Sequence, residues 1–426
     1  MTATKRPLYG WLSAELISLC GTRLSMLAIP WLVLTTTGSA TQTGLVAFAE
    51  MAPYVLAKAL AGPYVDRVGA RRICVAADLS SVVVVGAIPV LHMADALDYG
   101  VLLGLVAVAG LLRGPSDGAK AALVPDIVDA AGVPTERATG LQSAVERFAG
   151  MTGSALAGLI IVAVGAANAL LVDAASFAIS AVLIAATAPR RVHHEAEDDD
   201  GTYVERLRSG WDFLRRDPVL VAIVTMVAIT NLIDQAYMGV LLPFWVHDSG
   251  HGAGTLALLF ATWSAASTVG AIVAAWLGPR LPRFSTYVIA FIIAGAPRFI
   301  VLAIDAPLWL IVATGLAGGL ASGFINPILG AVIYERIPRH LMGRVTALNT
   351  SLCWSLIPFG GIVGGFAIAA LGLSPALVVL GMAYFAATML PTVRPEWRTI
   401  DDGRKASRNE GSDDRVGEKP APAGQH

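Results

Sequence analysis

Long apolar runs separated by short polar joints set the pattern of this chain from end to end. Twelve runs are long enough to cross a bilayer as helices, which takes about 20 apolar residues each. They cover 9–34, 43–63, 73–92, 99–120, 139–163, 168–188, 219–246, 254–277, 285–304, 307–333, 345–370 and 374–393. A different pattern stands between the sixth and seventh. In "TYVERLRSGWDFLRR", Val204, Leu207, Trp211 and Leu214 recur at helical spacing with arginines between them. That predicts a short amphipathic helix lying on a membrane surface. The segment before it, "PRRVHHEAEDDDG", is polar, and the tail from 394 is charged and poor in apolar residues, so it is expected to be disordered. The predicted organisation is an N-terminal six-helix bundle (1–188), a linker with an amphipathic helix (189–218), a C-terminal six-helix bundle (219–393) and a tail (394–426).

Composition narrows this to an all-α membrane protein. Hydrophobic residues make up 55% of the 426 and charged residues 14%, against about a quarter charged in a soluble domain. A net charge of −1 offers no basic field for nucleic acid. The basic residues are unevenly placed. Of the 30 Lys and Arg, 24 fall in the N-terminus, the tail and alternate joints, and the remaining joints carry none. The positive-inside rule puts both termini and those joints in the cytoplasm. The first run is too long for a signal-peptide core and lacks a cleavage site, so it is expected to stay as the first helix. Cys20, Cys74 and Cys353 are odd in number and widely spaced, which suggests neither disulfides nor a zinc site. No cofactor is expected.

The halves repeat each other. Residues 137–170 align without gaps on 344–377, with glycines matching at 153/360, 158/365 and 165/372. The joint "GPYVDRVGARR" (62–72) has a shorter partner in "GPRLPR" (278–283). Parallel six-span repeats mark a transporter architecture with its substrate site near the midplane, between the halves. The expected fold is twelve transmembrane helices in two pseudo-symmetric six-helix bundles.

That joint resembles the loop signature of the major facilitator superfamily, in which a glycine is followed by Asp-Arg, Gly and basic residues between spans two and three. Gly62, Asp66, Arg67, Gly69 and Arg71 match it, and Ala70 stands where an arginine is expected. "ISLCGTRLSMLAIPWLVLTTTGSATQTGL", "ICVAADLSS" and "LLVDAASFAISAVLI" resemble the bacterial drug–proton antiporter branch with macrolide-efflux and Tap-type multidrug pumps. Thr22 replaces that branch's usual acid, and Ser154 replaces the proline of its fifth-span signature. Arg113 matches the usual place of a fourth-span arginine. The physical reading of the loop is a gate. Asp66 can face the positive N-terminal end of span eleven, near Arg344, and Arg67 and Arg71 can pair with acids across the cytoplasmic seam. Gly62 and Gly69 permit tight turns.

Charged groups inside a membrane cost at least about 2.5–3.5 kcal/mol, so each is a functional candidate whose partner needs naming. At 1.5 Å of rise per residue, Arg23 and Glu50 lie at matched depth just outside the midplane, and Glu15 and Lys58 at matched depth inside it. These are expected to form two cross-helix pairs. Asp234, in "NLIDQAYMG", has only amides beside it in sequence, so desolvation favours its protonated carboxyl. It is the favoured proton carrier, with Arg298 at similar depth as a candidate partner. Glu50 and Glu146 are the other proton-coupling candidates, and Arg113 and Asp117 form a further pair at helical spacing. Asp173 and Asp305 are placed near outer ends, in solvated or capping roles. Pro53, Pro243, Pro327 and Pro358 are expected to bend their spans.

An ATP-driven pump or metalloenzyme is disfavoured, since the chain has neither a G-x-x-x-x-G-K-[ST] loop nor an H-E-x-x-H pair. The expected partners are a small-molecule substrate, protons and the lipid bilayer of the cell membrane, with the chain acting as a monomer. The expected function is export of a lipophilic or amphiphilic compound against proton entry. Export of one endogenous metabolite, or proton-coupled uptake of a nutrient, is the alternative.

Overall fold

The computed structural model describes residues 5–189, 203–277, 280–338, 341–393 and 397. Among them all regular structure is helical. In hydrocarbon a backbone must satisfy its own hydrogen bonds, so an isolated apolar run has one workable conformation, the helix. Twelve helices are long and apolar enough to cross a membrane. In chain order, spans one to six are Arg6–Thr37, Ala40–Gly62, Ala70–Met93, Tyr99–Ala131, Arg137–Val164 and Ala166–Thr187. Spans seven to twelve are Pro218–Asp248, Ala253–Leu277, Arg283–Ala303, Leu308–Arg336, Leu348–Leu371 and Leu373–Val393. Each overlaps one of the twelve apolar runs. Local sequence starts several of them: Ser39, Asp98 and Asp217 each accept a backbone N–H of the following first turn. The fourth span ends early and turns into a short helix, Val124–Ala131, that buries Ile127. The expected amphipathic helix is present at Tyr203–Leu214. Its end is docked rather than free on a lipid surface, because Leu214 is buried with Leu220 and Val345. The tail from 394 lies outside the described residues apart from Trp397.

Three further spans are broken among the described residues. Span seven passes from α-helix into a π-helical turn at Tyr237–Leu241 and resumes at Leu242–Asp248, with Pro243 in its first turn. Span nine breaks at Gly295 and Ala296, ahead of Pro297. Span eleven breaks between Trp354 and Ile357, ahead of Pro358. A proline lacks the N–H that would continue the helix, so each of the latter breaks falls just before one. Pro327 instead lies within a continuous helix, as does Pro53, so these two do not interrupt their spans. The break ahead of Pro297 was not among the expected bends.

The repeat holds down to backbone conformation. Gly165 joins spans five and six at φ 83°, ψ 159°, and Gly372 joins spans eleven and twelve at φ 83°, ψ 167°. A positive φ of this kind excludes most side chains, which is why both halves keep glycine there. Packing repeats too. A Cβ at Gly158 on span five would lie 1.7 Å from the Ala257 Cβ on span eight, and one at Gly365 on span eleven would lie 2.8 Å from the Ala40 carbonyl on span two. These equivalent contacts join the halves near the face whose joints lack basic residues. There the Trp31 ring also meets His247 edge-on at 6.1 Å. The opposite, basic-rich face carries both ends of the described chain. Between the two faces, spans one, two, five, seven and eight enclose a cavity of about 560 Å³.

Candidate functional site

One wall of the cavity comes from the N-terminal half. Span four lies directly on span two at Glu50, because Gly110 has no Cβ; one placed there would stand 2.1 Å from the Glu50 carbonyl. That approach brings Arg113 onto Glu50, with Nη1 donating to Oε1 at 2.9 Å. Glu50 and Arg113 are 6% and 8% exposed, so each supplies the counter-charge that makes the other tolerable. The guanidinium also sits 4.4 Å over the Tyr54 ring. Tyr54 in turn donates to Asp117 at 3.0 Å and accepts from Lys58 at 3.2 Å. Two expected pairs are therefore corrected. Glu50 is held by Arg113 and not by Arg23, although both line the cavity. Lys58 leans on Tyr54 and lies 4.5 Å over Trp354 of span eleven rather than meeting Glu15, one of whose carboxylate oxygens is buried without a partner. Similar positions along the helix axes did not suffice, because the helix faces present these side chains to other neighbours. Arg113 and Asp117 likewise go to Glu50 and Tyr54 instead of to each other. Glu146 is exposed and lines the cavity, beside Arg147.

The other wall belongs to the C-terminal half. Asp234 and Arg298 are ion-paired, as their depths suggested. Arg298 is 4% exposed, while the Asp234 side chain is 38% exposed. Four rings surround the guanidinium at 4.8–5.0 Å: Tyr237, Trp263, Phe299 and Tyr384. The break at Gly295 and Ala296 precedes Arg298, and the π-helical turn begins at Tyr237, so two irregular backbones set this cluster. Asn231 is committed to the Cys353 carbonyl at 2.9 Å, whereas Gln235, Met238, Phe260 and Trp263 face the cavity.

Two buried networks escaped the sequence reading. Asp78 of span three is fully buried and accepts from Ser116 at 2.5 Å and Ser180 at 2.7 Å, with Lys120 at 3.9 Å; Lys120 donates to Ser18 at 2.8 Å. Its signal was present as an acid inside an apolar run. Asp173 is not an outer-end cap. It is 1% exposed and accepts from Ser25 and Ser176. It also shares a small cavity with Glu50 and Arg113. Asp305, by contrast, sits in a turn at φ 49°.

At the basic-rich face the loop signature is only partly described. Gly69 sits at φ 96° and starts span three, while Gly62 lies inside a helix, so of the two only Gly69 serves a turn. Arg67 is exposed. Arg71 donates to the Ala185 carbonyl near the end of span six rather than to an acid. The Asp66 side chain, and its expected contact near Arg344, lie outside the described residues. In the second half, Arg283 makes a two-pronged pair with Glu335 at 2.5 and 2.6 Å, and Arg336 pairs with Asp217 at 3.0 Å. Among the described residues no group of His, Cys, Asp and Glu could hold a metal ion.

Known proteins resemble the chain along most of its length. The family model of the Major Facilitator Superfamily matches residues 11–362 and, a second time, 225–415. The multidrug efflux pump Tap of Mycobacterium tuberculosis (strain ATCC 25618 / H37Rv) is 30% identical over 410 residues, covering 94% of this chain and 96% of that one. Tap of Mycolicibacterium fortuitum is 30% identical over 414 residues, covering 94% and 99%. Among solved structures, the nucleoside transporter NupG superposes with a TM-score of 0.72 at 14% identity, covering 92% and 99%.

Proposed function

The chain belongs to the Major Facilitator Superfamily, and from that premise we propose that it exports lipophilic or amphiphilic small molecules by alternating access, driven by proton entry. The observation that carries this is the cavity of about 560 Å³ between the halves, with ionisable groups on one wall and Met238, Phe260 and Trp263 on the other. That volume lies within the range of drug-sized sites. The relatives named as multidrug efflux pumps support an exporter. The bias of basic residues supports cytoplasmic termini, which makes the face joined by Gly158 and Gly365 the outer one. In that reading the cavity has its outer side closed.

The coupling chemistry rests on acids at the cavity. Glu50 and Glu146 line it, and protonation of Glu50 would release Arg113. Asp234 is not one of the lining residues, but its neighbour Gln235 is, and the Asp234 side chain is partly exposed. Its pairing with Arg298 changes the argument for a proton carrier without removing it. A carboxylate can take a proton only if its partner survives alone, and the four rings around Arg298 offer cation–π stabilisation of about 0.5–2 kcal/mol each. The deciding experiment measures accumulation of fluorescent drugs in cells expressing the chain, with and without a protonophore. Export predicts lower accumulation than in control cells, restored by the protonophore. Equal accumulation in expressing and control cells would refute it.

A further inference from the structure

Arg23 is midway along span one and exposed, with its side chain opening into the cavity. Among the described residues no carboxylate lies within ion-pair distance of it. The nearby wall does not supply one either, because Glu50 is the counter-charge of Arg113. Room for the side chain is made by span five. A Cβ at Gly153 would stand 3.2 Å from both Cβ and Cγ of Arg23, and one at Gly150 would stand 3.9 Å from Nη2. The guanidinium is thus led across two glycines into open space rather than to a partner. A second cation, Arg147, lines the same wall. With Glu50 committed to Arg113, Glu146 is the carboxylate left among the described lining residues to balance Arg23 and Arg147, so those residues carry an excess of one positive charge.

A guanidinium at membrane depth without a counter-ion is costly, and a ligand can supply what the protein omits. The planar fork of an arginine fits the oxygens of a carboxylate, sulfonate or phosphate. Facing it across the cavity are Met238, Phe260 and Trp263, which offer an apolar and aromatic seat. The Asp234–Arg298 pair is self-neutralised, so it does not reverse the sign. We propose that this cavity binds drug-sized amphiphiles through an anionic group held by Arg23, with the apolar body against spans seven and eight. The inference rests on the transporter reading and names the substrate class of the same site.

The test uses the purified full-length chain and three probes with one ring system and three charges: pyrenebutyrate, pyrenebutanol and pyrenebutyl-trimethylammonium. Binding is read by tryptophan-to-pyrene energy transfer. A charge-assisted contact predicts that the carboxylate binds at least about tenfold tighter than the alcohol, with the ammonium weakest. Arg23→Gln should erase that preference while leaving the neutral alcohol bound as in the wild type, which doubles as the check on folding; Arg23→Lys should keep part of it. Tighter binding of the ammonium than of the carboxylate by the wild type overturns the assignment, whatever the variants do. So does an unchanged carboxylate preference in Arg23→Gln. Displacement of the carboxylate by added phosphatidylglycerol would make a lipid headgroup the occupant and overturn a drug-sized ligand. Anion-selective binding without protonophore-sensitive export from vesicles would leave the assignment standing and sink the antiport reading. Active export of the ammonium with no response to the carboxylate would do the reverse.

Discussion

Arg113 shows how one guanidinium can organise a wall. It holds Glu50 at 2.9 Å and lies over Tyr54, which carries Asp117 and Lys58. Removing one member of such a pair strands the other in a poorly solvated place. Glu50→Gln should therefore destabilise the chain by about 3–5 kcal/mol, and Glu50→Gln with Arg113→Leu should recover much of the loss. Combining Glu50→Gln with Arg23→Leu should give additive effects. Thermal melting of the purified variants in a double-mutant cycle checks both; strong coupling to Arg23 and none to Arg113 would contradict the observed pairing. Asp234 answers to a different measurement. If it carries the proton, Asp234→Asn should abolish uphill transport in vesicles while downhill exchange of substrate persists, because the site still binds and the halves still move. Uphill accumulation by Asp234→Asn under an imposed proton gradient would shift the role to Glu50 or Glu146. Both Glu50 and Arg113 stood out in the sequence, but their pairing was not legible from depth alone. Depth places a residue along a helix axis, whereas pairing needs the angle around it, and that angle is set by neighbours such as Gly110.

Elements carry the motion if the halves rock against each other. The contacts of span five on span eight and of span eleven on span two are the same device used twice, a glycine under a neighbouring backbone or methyl. Gly158→Leu would place a branched side chain where even a Cβ overlaps Ala257. It should therefore disfavour closure of the basic-poor face. A cysteine introduced at Ser264, inside the cavity, should then react with a membrane-impermeant thiol reagent applied to that face at least about tenfold faster, the ratio for a shift of about 1.4 kcal/mol. An unchanged labelling rate would show that the contact does not gate access. The breaks in spans seven and nine stand in the same half and converge on Arg298 and Tyr237. Proline marked two of the three irregular spans from sequence. Pro243 marked span seven but not the form of its irregularity, since nothing in "YMGVL" forbids an α-helix, and the break of span nine ahead of Pro297 was not foreseen.

Across the whole molecule, the loop between spans two and three is the joint on which alternating access is expected to turn. Asp66→Asn should lower transport at least about tenfold while the protein inserts and melts like the wild type, if the carboxylate makes a contact present in only one state, worth about 1.4 kcal/mol or more. Transport at the wild-type rate by well-expressed Asp66→Asn would leave the loop as a membrane anchor only. The spans, the repeat and the family resemblance were all readable in the chain. Apolar length dictates a helix in lipid, and Gly165 and Gly372 kept their places because their positive φ leaves little choice. Local constraints of this kind need no knowledge of neighbours. What only the tertiary structure decided was who meets whom: Arg113 on Glu50, four rings around Arg298, Ser25 and Ser176 on a buried Asp173, and Arg23 left open to the cavity. Those outcomes depend on how each helix is rotated against several others at once, and one-dimensional spacing does not contain that rotation.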